Sequence, residues 1–227
     1  GCVDTLGPQA GDIARTCWLA AGLPEEIPGT TIDRQCGSSQ QAVHFAAQAV
    51  MSGTSDVVIA AGMQNMSLIP ITSAMMAGKP FGFDDPFTGS VGWRKRYGTQ
   101  EVSQFRSAEM IAEKWQITRE DMEKFALQSH QRAIKAIDSG YFDSQIAPLE
   151  GVAKDEGPRR DTSLEKMATL QPLSPGGRVT AAVASQISDA SAAMLIVNEK
   201  GLKAHNLKPR ARIHHLSVRG EDPIFML

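Results

Sequence analysis

Thr30-Thr31-Ile32-Asp33-Arg34-Gln35-Cys36-Gly37-Ser38-Ser39-Gln40-Gln41-Ala42-Val43 carries a short β-prone segment into an alanine-rich helix, with one thiol at the turn between them. The helical pattern runs on to residue 51 and is apolar at Ala42, Val43, Phe45, Ala46, Ala47, Ala49 and Val50, most of its circumference. A helix apolar on most faces is buried, so the thiol is predicted to open a central helix. Gly53 stops it, and Val57-Val58-Ile59-Ala60-Ala61 follows as a continuous apolar run, the mark of a strand covered on both faces. Strand, helix and strand in that order predict a parallel, right-handed crossover and an α/β fold.

A helix N-terminus presents unpaired N–H groups and the positive end of the peptide dipoles, which favour a thiolate, the nucleophilic form of cysteine. Cys36 stands at that position. Gly37 lets the backbone approach whatever the sulfur attacks, and Ser38 and Ser39 are placed to bond amides of the first turn. A single cysteine before a helix is also simply a small buried hydrophobe, and the rest of the chain has to separate the two readings.

Upstream, Ile13, Ala14, Cys17, Leu19 and Ala20 recur at helical spacing and stop at Gly22 and Pro24. From about residue 68 to 177 the composition changes. Pro70, Gly78, Pro80, Gly82, Pro86 and Gly89 break up long elements, while Phe81, Phe83, Phe87, Trp93 and Tyr97 supply local anchors. Long irregular stretches in compact proteins usually carry function. Two helices are predicted inside this one, at 106–114 and 118–139, the second opening on Thr118 and Asp121 at capping-box spacing and stopping at Gly140. Beyond it, residues 192–197 read as an apolar strand, 199–205 as a short helix and 211–218 as an edge-like strand.

An apolar fraction of 42% and a formal net charge of −2 exclude the strong positive field that nucleic-acid binding needs. The 227 residues suffice for a sizeable core, no apolar run reaches membrane-spanning length, and Gly1-Cys2-Val3-Asp4 lacks the pattern of a signal peptide. A cytoplasmic location is expected. Cys2, Cys17 and Cys36 have neither the even count of a disulfide framework nor the spacing of a zinc site, so no metal is expected. His44 lies two helical turns beyond Cys36, ~12 Å along the axis, too far for direct proton transfer. His130, His205 and the His214-His215 pair read as structural or solvated.

Further blocks are Gly62-Met63-Gln64-Asn65-Met66-Ser67, Ile117-Thr118-Arg119-Glu120-Asp121, Val179-Thr180-Ala181-Ala182-Val183-Ala184-Ser185 and Leu207-Lys208-Pro209-Arg210-Ala211. With the Cys36 segment, and in this order, they resemble the thiolases, the acyl-CoA C-acyltransferases whose nucleophile lies in Cys-Gly-Ser-Gly. The resemblance covers nearly the whole chain. It implies a thiolase-like layered α-β-α-β-α core, one half only here, with an inserted helical and irregular loop domain that covers coenzyme A. The implied boundaries are 1–67 for the core half carrying the nucleophile, 68–189 for the loop domain and 190–227 for the return to the core. The chain is expected to be a piece of a longer protein: the family's Asn-Glu-Ala, Gly-His-Pro and Cys-Gly-Gly segments do not occur in it.

Carried over residue by residue, the resemblance implies that Cys36 is the catalytic nucleophile, its backbone N–H serving an oxyanion hole. Asp155-Glu156-Gly157-Pro158-Arg159 is similar to the family's Asp-Glu-x-x-Arg, placing Arg159 on the adenine end of coenzyme A, against the alternative of a solvated Arg159-Arg160-Asp161 cluster. Ala181 and Ser185 match residues along the pantetheine arm, although Ala182-Val183 replaces the family's Gly-Asn, and Ser39 stands where the family usually has Gly. Gln104 and Phe105 replace the His-Met of short-chain members at the acyl pocket, a version similar to thiolases of sterol-side-chain or other bulky acyl-CoA breakdown. The implied activity is thiolytic cleavage of a 3-ketoacyl-CoA to acetyl-CoA and a shortened acyl-CoA, in fatty-acid or sterol side-chain degradation. Coenzyme A and acyl-CoA enter as substrates with no permanently bound cofactor, and the protein is expected to be a homo-oligomer, dimer or tetramer. A ketoacyl-synthase-type condensing enzyme and a non-catalytic acyl-CoA- or lipid-binding relative are the alternatives.

Overall fold

A computed structural model describes the whole chain, Gly1–Leu227, as a mixed α/β protein. It divides into two compact units, Gly1–Thr99 with Ile187–Val218, and Gln100–Gln186 with Arg219–Leu227.

In the first unit, α1 (Ile13–Ala20) is followed by α2 (Ser38–Met51) and β1 (Val57–Asn65). The short helices α3 (Ser73–Met76) and α4 (Val91–Tyr97) lie in the Gly- and Pro-rich stretch, where Phe87, Trp93 and Tyr97 stack in series at 4.8 and 4.7 Å. The core forms where α2 lies on the sheet: Ala46, Ala47 and Val50 pack against Ala60 and Ile196. Small side chains on both surfaces let the backbones approach closely.

The sheet differs from the expected parallel crossover. Its two strands, β1 and β2 (Asp189–Val197), are antiparallel, with Val57 opposite Val197 and Asn65 opposite Asp189. Residues before α2 do not form a strand beside β1; Gly1 bonds to that edge of the strand. The Gly1 ammonium donates to the Ala61 carbonyl at 2.7 Å, Met63 N–H to the Gly1 carbonyl at 3.1 Å, and Cys2 N–H to the Ile32 carbonyl at 3.1 Å. Asp56 and Asp189 close the two ends of the pair. Asp56 accepts from Lys200 Nζ at 2.5 Å and from Asn198 Nδ2 at 2.9 Å, which in that order hold its carboxyl low; Asp189 accepts from Ser67 N–H at 2.9 Å. The Asn198 side chain also caps α8 (Glu199–Ala204) through Gly201 N–H.

Two further expectations change. β1 was expected to be covered on both faces, yet only the face bearing Val58 and Ala60 meets α2, while Ile59 and its partner Leu195 are 48% and 51% exposed. Residues 211–218 are not a strand; no ladder hydrogen bonds reach them, although Leu216 packs on the α2 cluster.

The second unit holds α5 (Gln104–Lys114), α6 (Arg119–Asp138) and α7 (Leu164–Ala168). The capping box read from Thr118 and Asp121 forms in both directions, and its hydrogen bonds hold the Asp121 carboxyl low. Arg119 pairs with buried Glu123 at 2.7 Å and donates to the carbonyls of Met167 and Leu170, each at 2.9 Å, which ties the start of α6 to the end of α7. The side-chain hydroxyl of fully buried Ser107 on α5 donates to the Phe225 carbonyl.

Candidate functional site

Cys36 lies one residue before the N-terminal cap of α2, which is Gly37. The chain reaches it through Gln35, whose φ of 49° is in the left-handed region that non-glycine residues rarely adopt. Three bonds hold this turn: Gln35 N–H donates to Asp33 Oδ1 at 2.9 Å, Arg34 N–H to Ser38 Oγ at 2.8 Å, and the Ser38 hydroxyl to the Gln35 carbonyl at 2.5 Å. Ser38 was expected to bond amides of the first helical turn. Its hydroxyl is instead spent on the bend that presents the cysteine, and α2 has no side-chain cap. A turn held so firmly in an uncommon conformation aims a side chain at a fixed cost in strain.

The first turn of α2 is seated on β1. A Cβ at Gly62 would overlap the Ser39 hydroxyl and come within 2.7 Å of Ser39 Cβ, so the glycine is what admits Ser39. The strand thereby fixes where the helix starts, and the helix start fixes the sulfur.

The three thiols differ in their surroundings. Cys36 and Cys17 are exposed, whereas Cys2 is buried 3.8 Å from Met63 Sδ, and that burial pushes its thiol up, away from thiolate. His44, buried on α2, lines an open groove with Ser39, Val43, Met194 and His215.

The remaining sequence-derived candidates all lie in the second unit. Gln104 is the first residue of α5 and Phe105, the next, is 50% exposed. Ser103 caps this helix by accepting from Arg106 N–H, and the Arg106 guanidinium folds back to the Glu101 carbonyl at 2.9 Å. Ala181 and Ser185 are exposed, just beyond Val179 and Thr180, which are 5% and 0% exposed. An anchored stretch thus ends in an accessible one.

The Arg159 segment is tied to the end of that stretch by one contact and to α6 by another, neither of which the sequence alone revealed. Gln186 Nε2, next to Ser185, donates to the Gly157 carbonyl at 2.7 Å, and Arg159 N–H donates to His130 Nδ1 on α6 at 3.2 Å. The Asp155–Arg159 segment and the Ala181–Ser185 segment are therefore adjacent. Within the charge cluster, Arg160 binds Asp138 through both guanidinium nitrogens, at 2.9 and 2.6 Å, and Asp161 takes Lys166 at 3.0 Å. Arg159 forms none of the close ion pairs, but after Lys166 its charge also helps hold the Asp161 carboxyl low. The sequence reading left His130 as structural or solvated, and Gln186 directly follows the Val179–Ser185 block without a role of its own.

Comparison with known proteins bears on this arrangement. Residues 1–200 match the sequence model of the family described as "Thiolase, N-terminal domain". Over its whole length the chain is 60% identical to a steroid 3-ketoacyl-CoA thiolase of Mycobacterium tuberculosis, covering 56% of that protein. It is 36% identical to a 3-oxoadipyl-CoA/3-oxo-5,6-dehydrosuberyl-CoA thiolase of Escherichia coli, again over all of this chain and 60% of the other. A 3-ketoacyl-CoA thiolase of Aliivibrio fischeri is 38% identical, with 58% of its length covered. The chain thus spans between half and two thirds of the length of these relatives.

Proposed function

The chain belongs to the thiolase family, and on that premise we propose that it supplies the acyl-accepting part of a degradative 3-ketoacyl-CoA thiolase. The thiolate of Cys36 attacks the 3-keto carbon, the bond between C2 and C3 breaks, and the departing acetyl-CoA carbanion takes up a proton. The acyl group, held as a thioester on Cys36, then passes to the sulfur of a second coenzyme A; the Cys36–acyl bond breaks, the cysteine thiolate is restored, and the coenzyme A thiol gives up a proton that balances the one taken up at C2. The backbone N–H of Cys36 stabilises the oxyanion formed at the attacked carbonyl. Arg159 meets the adenine end of coenzyme A, Ala181 and Ser185 line the pantetheine arm, and Gln104 and Phe105 border the acyl group.

The observation that carries this reading is the exposed thiol of Cys36 on a left-handed turn directly before the cap of α2. The steroid substrate in the name of the Mycobacterium relative supports a bulky acyl group at Gln104 and Phe105. We assign residues 68–189 as the domain that covers coenzyme A, within the layered α-β-α-β-α arrangement, and a homo-oligomer as the working form. The exposed Ile59 and Leu195 face is consistent with a strand pair that is covered in that larger assembly. No helix is long and apolar enough to cross a membrane.

In the whole protein, Cys36→Ser is expected to lose thiolysis by several orders of magnitude while still binding coenzyme A, because a hydroxyl without a strong base is a poor nucleophile. Retained turnover in that variant would move the chemistry away from Cys36.

A further inference from the structure

The conformation of the stretch carrying Ala181 and Ser185 is set from α5. One carboxylate oxygen, Glu109 Oε1, accepts the backbone N–H groups of both Arg178 and Val179, each at 2.7 Å. Gly177 makes this approach possible: a Cβ there would collide with Glu109 Oε1, sit 3.0 Å from the carboxyl carbon and lie 3.1 Å from the Ser174 carbonyl oxygen. The two donors lead straight into buried Thr180, whose hydroxyl accepts from Ala182 N–H at 3.3 Å and whose carbonyl accepts from Val183 N–H at 3.1 Å. Toward the helix start, Glu109 follows Phe105 by four residues and shares its face of α5. An anionic acceptor with two N–H donors fixes the direction of both, which a neutral contact does less strongly.

We propose that Glu109 is a positioning residue that sets the 178–185 stretch in register with the Gln104–Phe105 end of α5, so that an acyl-CoA is gripped at its pantetheine arm and its acyl group with a fixed separation. The inference rests on the coenzyme A reading of Ala181 and Ser185 given above. Glu109 does not touch the reacting atoms, and its effect is exerted through the loop it holds.

The test is steady-state thiolysis by the whole protein, with an acyl-CoA and with the matching acyl-pantetheine that lacks the nucleotide. Glu109→Ala is expected to raise KM for both substrates about tenfold, the scale of losing charge-assisted hydrogen bonds, with kcat nearly unchanged. Glu109→Gln keeps an oxygen that accepts both N–H groups but loses the charge, and is expected to raise KM less than Glu109→Ala does. Gly177→Ala should reproduce Glu109→Ala, yet add little to it in the double variant, because the side chain it would strike is gone. An unchanged KM in Glu109→Ala, a loss confined to kcat, or a full additional effect of Gly177→Ala in the Glu109→Ala background overturns the proposal. Arg159→Ala and Ser185→Ala, measured alongside with the acyl-CoA, separate the two levels. If they raise KM and Glu109→Ala does not, only the positioning role fails. If they too leave KM unchanged, the coenzyme A reading fails and the positioning role with it.

Discussion

Around Cys36 the chain is fixed by regular elements packed on one another: a 14-residue helix, a nine-residue strand and a glycine that lets their first contact close. Around Arg159 and Ser185 there is little regular structure, and position is set by single side chains, Glu109, His130 and Gln186, each reaching a backbone group of the loop. The first arrangement is stiff because a core must move before the sulfur does. In the second, one substitution is expected to loosen the loop segment it holds. A group that forms a covalent bond needs the tighter hold, whereas a long flexible ligand tolerates, and for release benefits from, the looser one.

Substitutions at the two regions can break or sharpen that contrast. Gly62→Ala drives a methyl group into Ser39 and is expected to cost about 1–3 kcal/mol of stability, the range for overpacking, and to slow acylation of Cys36 as the helix start shifts. Ser39→Gly in the same chain should restore both, which thermal melts and single-turnover acylation would show. If the second change restores neither, the contact between Gly62 and Ser39 does not seat the helix. On the looser side, Arg159→Ala is expected to leave stability unchanged and to weaken coenzyme A binding by about 1–3 kcal/mol, fading for pantetheine substrates without the nucleotide. Arg160→Ala, which removes only an exposed pair with Asp138, is expected to change binding by less than about 1 kcal/mol. Equal losses for the two arginines by isothermal titration would return Arg159 to the solvated cluster.

The regular elements were legible in the sequence because their signals are local. The apolar spacing of α2, the Val57-Val58-Ile59 run of β1 and the Thr118–Asp121 box of α6 each lie within one element. The pairing was not. β2 joins β1 from more than a hundred residues away, and Gly1 bonds to the edge of β1 where a parallel crossover from residues 30–36 would have added a strand. Nothing in the alternation of residues 211–218 records that the flanking ladder hydrogen bonds are missing. The site divides in the same way. Cys36 was found from its own neighbours and Arg159 from a short motif, but Gln186 and Glu109 act through backbone groups that carry no side-chain signature, and the left-handed turn at Gln35 falls on a residue type that does not advertise it.

The central claim, that Cys36 takes the acyl group, is tested most directly by trapping it. The whole protein is mixed with an acyl-CoA, quenched in acid and digested with trypsin, which cuts after Arg34 and so separates the peptide holding Cys36 from that holding Cys17. Both thiols are exposed, so access alone favours neither. The expected result is the acyl mass on the peptide beginning at Gln35 and none on the Cys17 peptide; acyl on both alike, or on Cys17 alone, would contradict the assignment of Cys36 as the nucleophile.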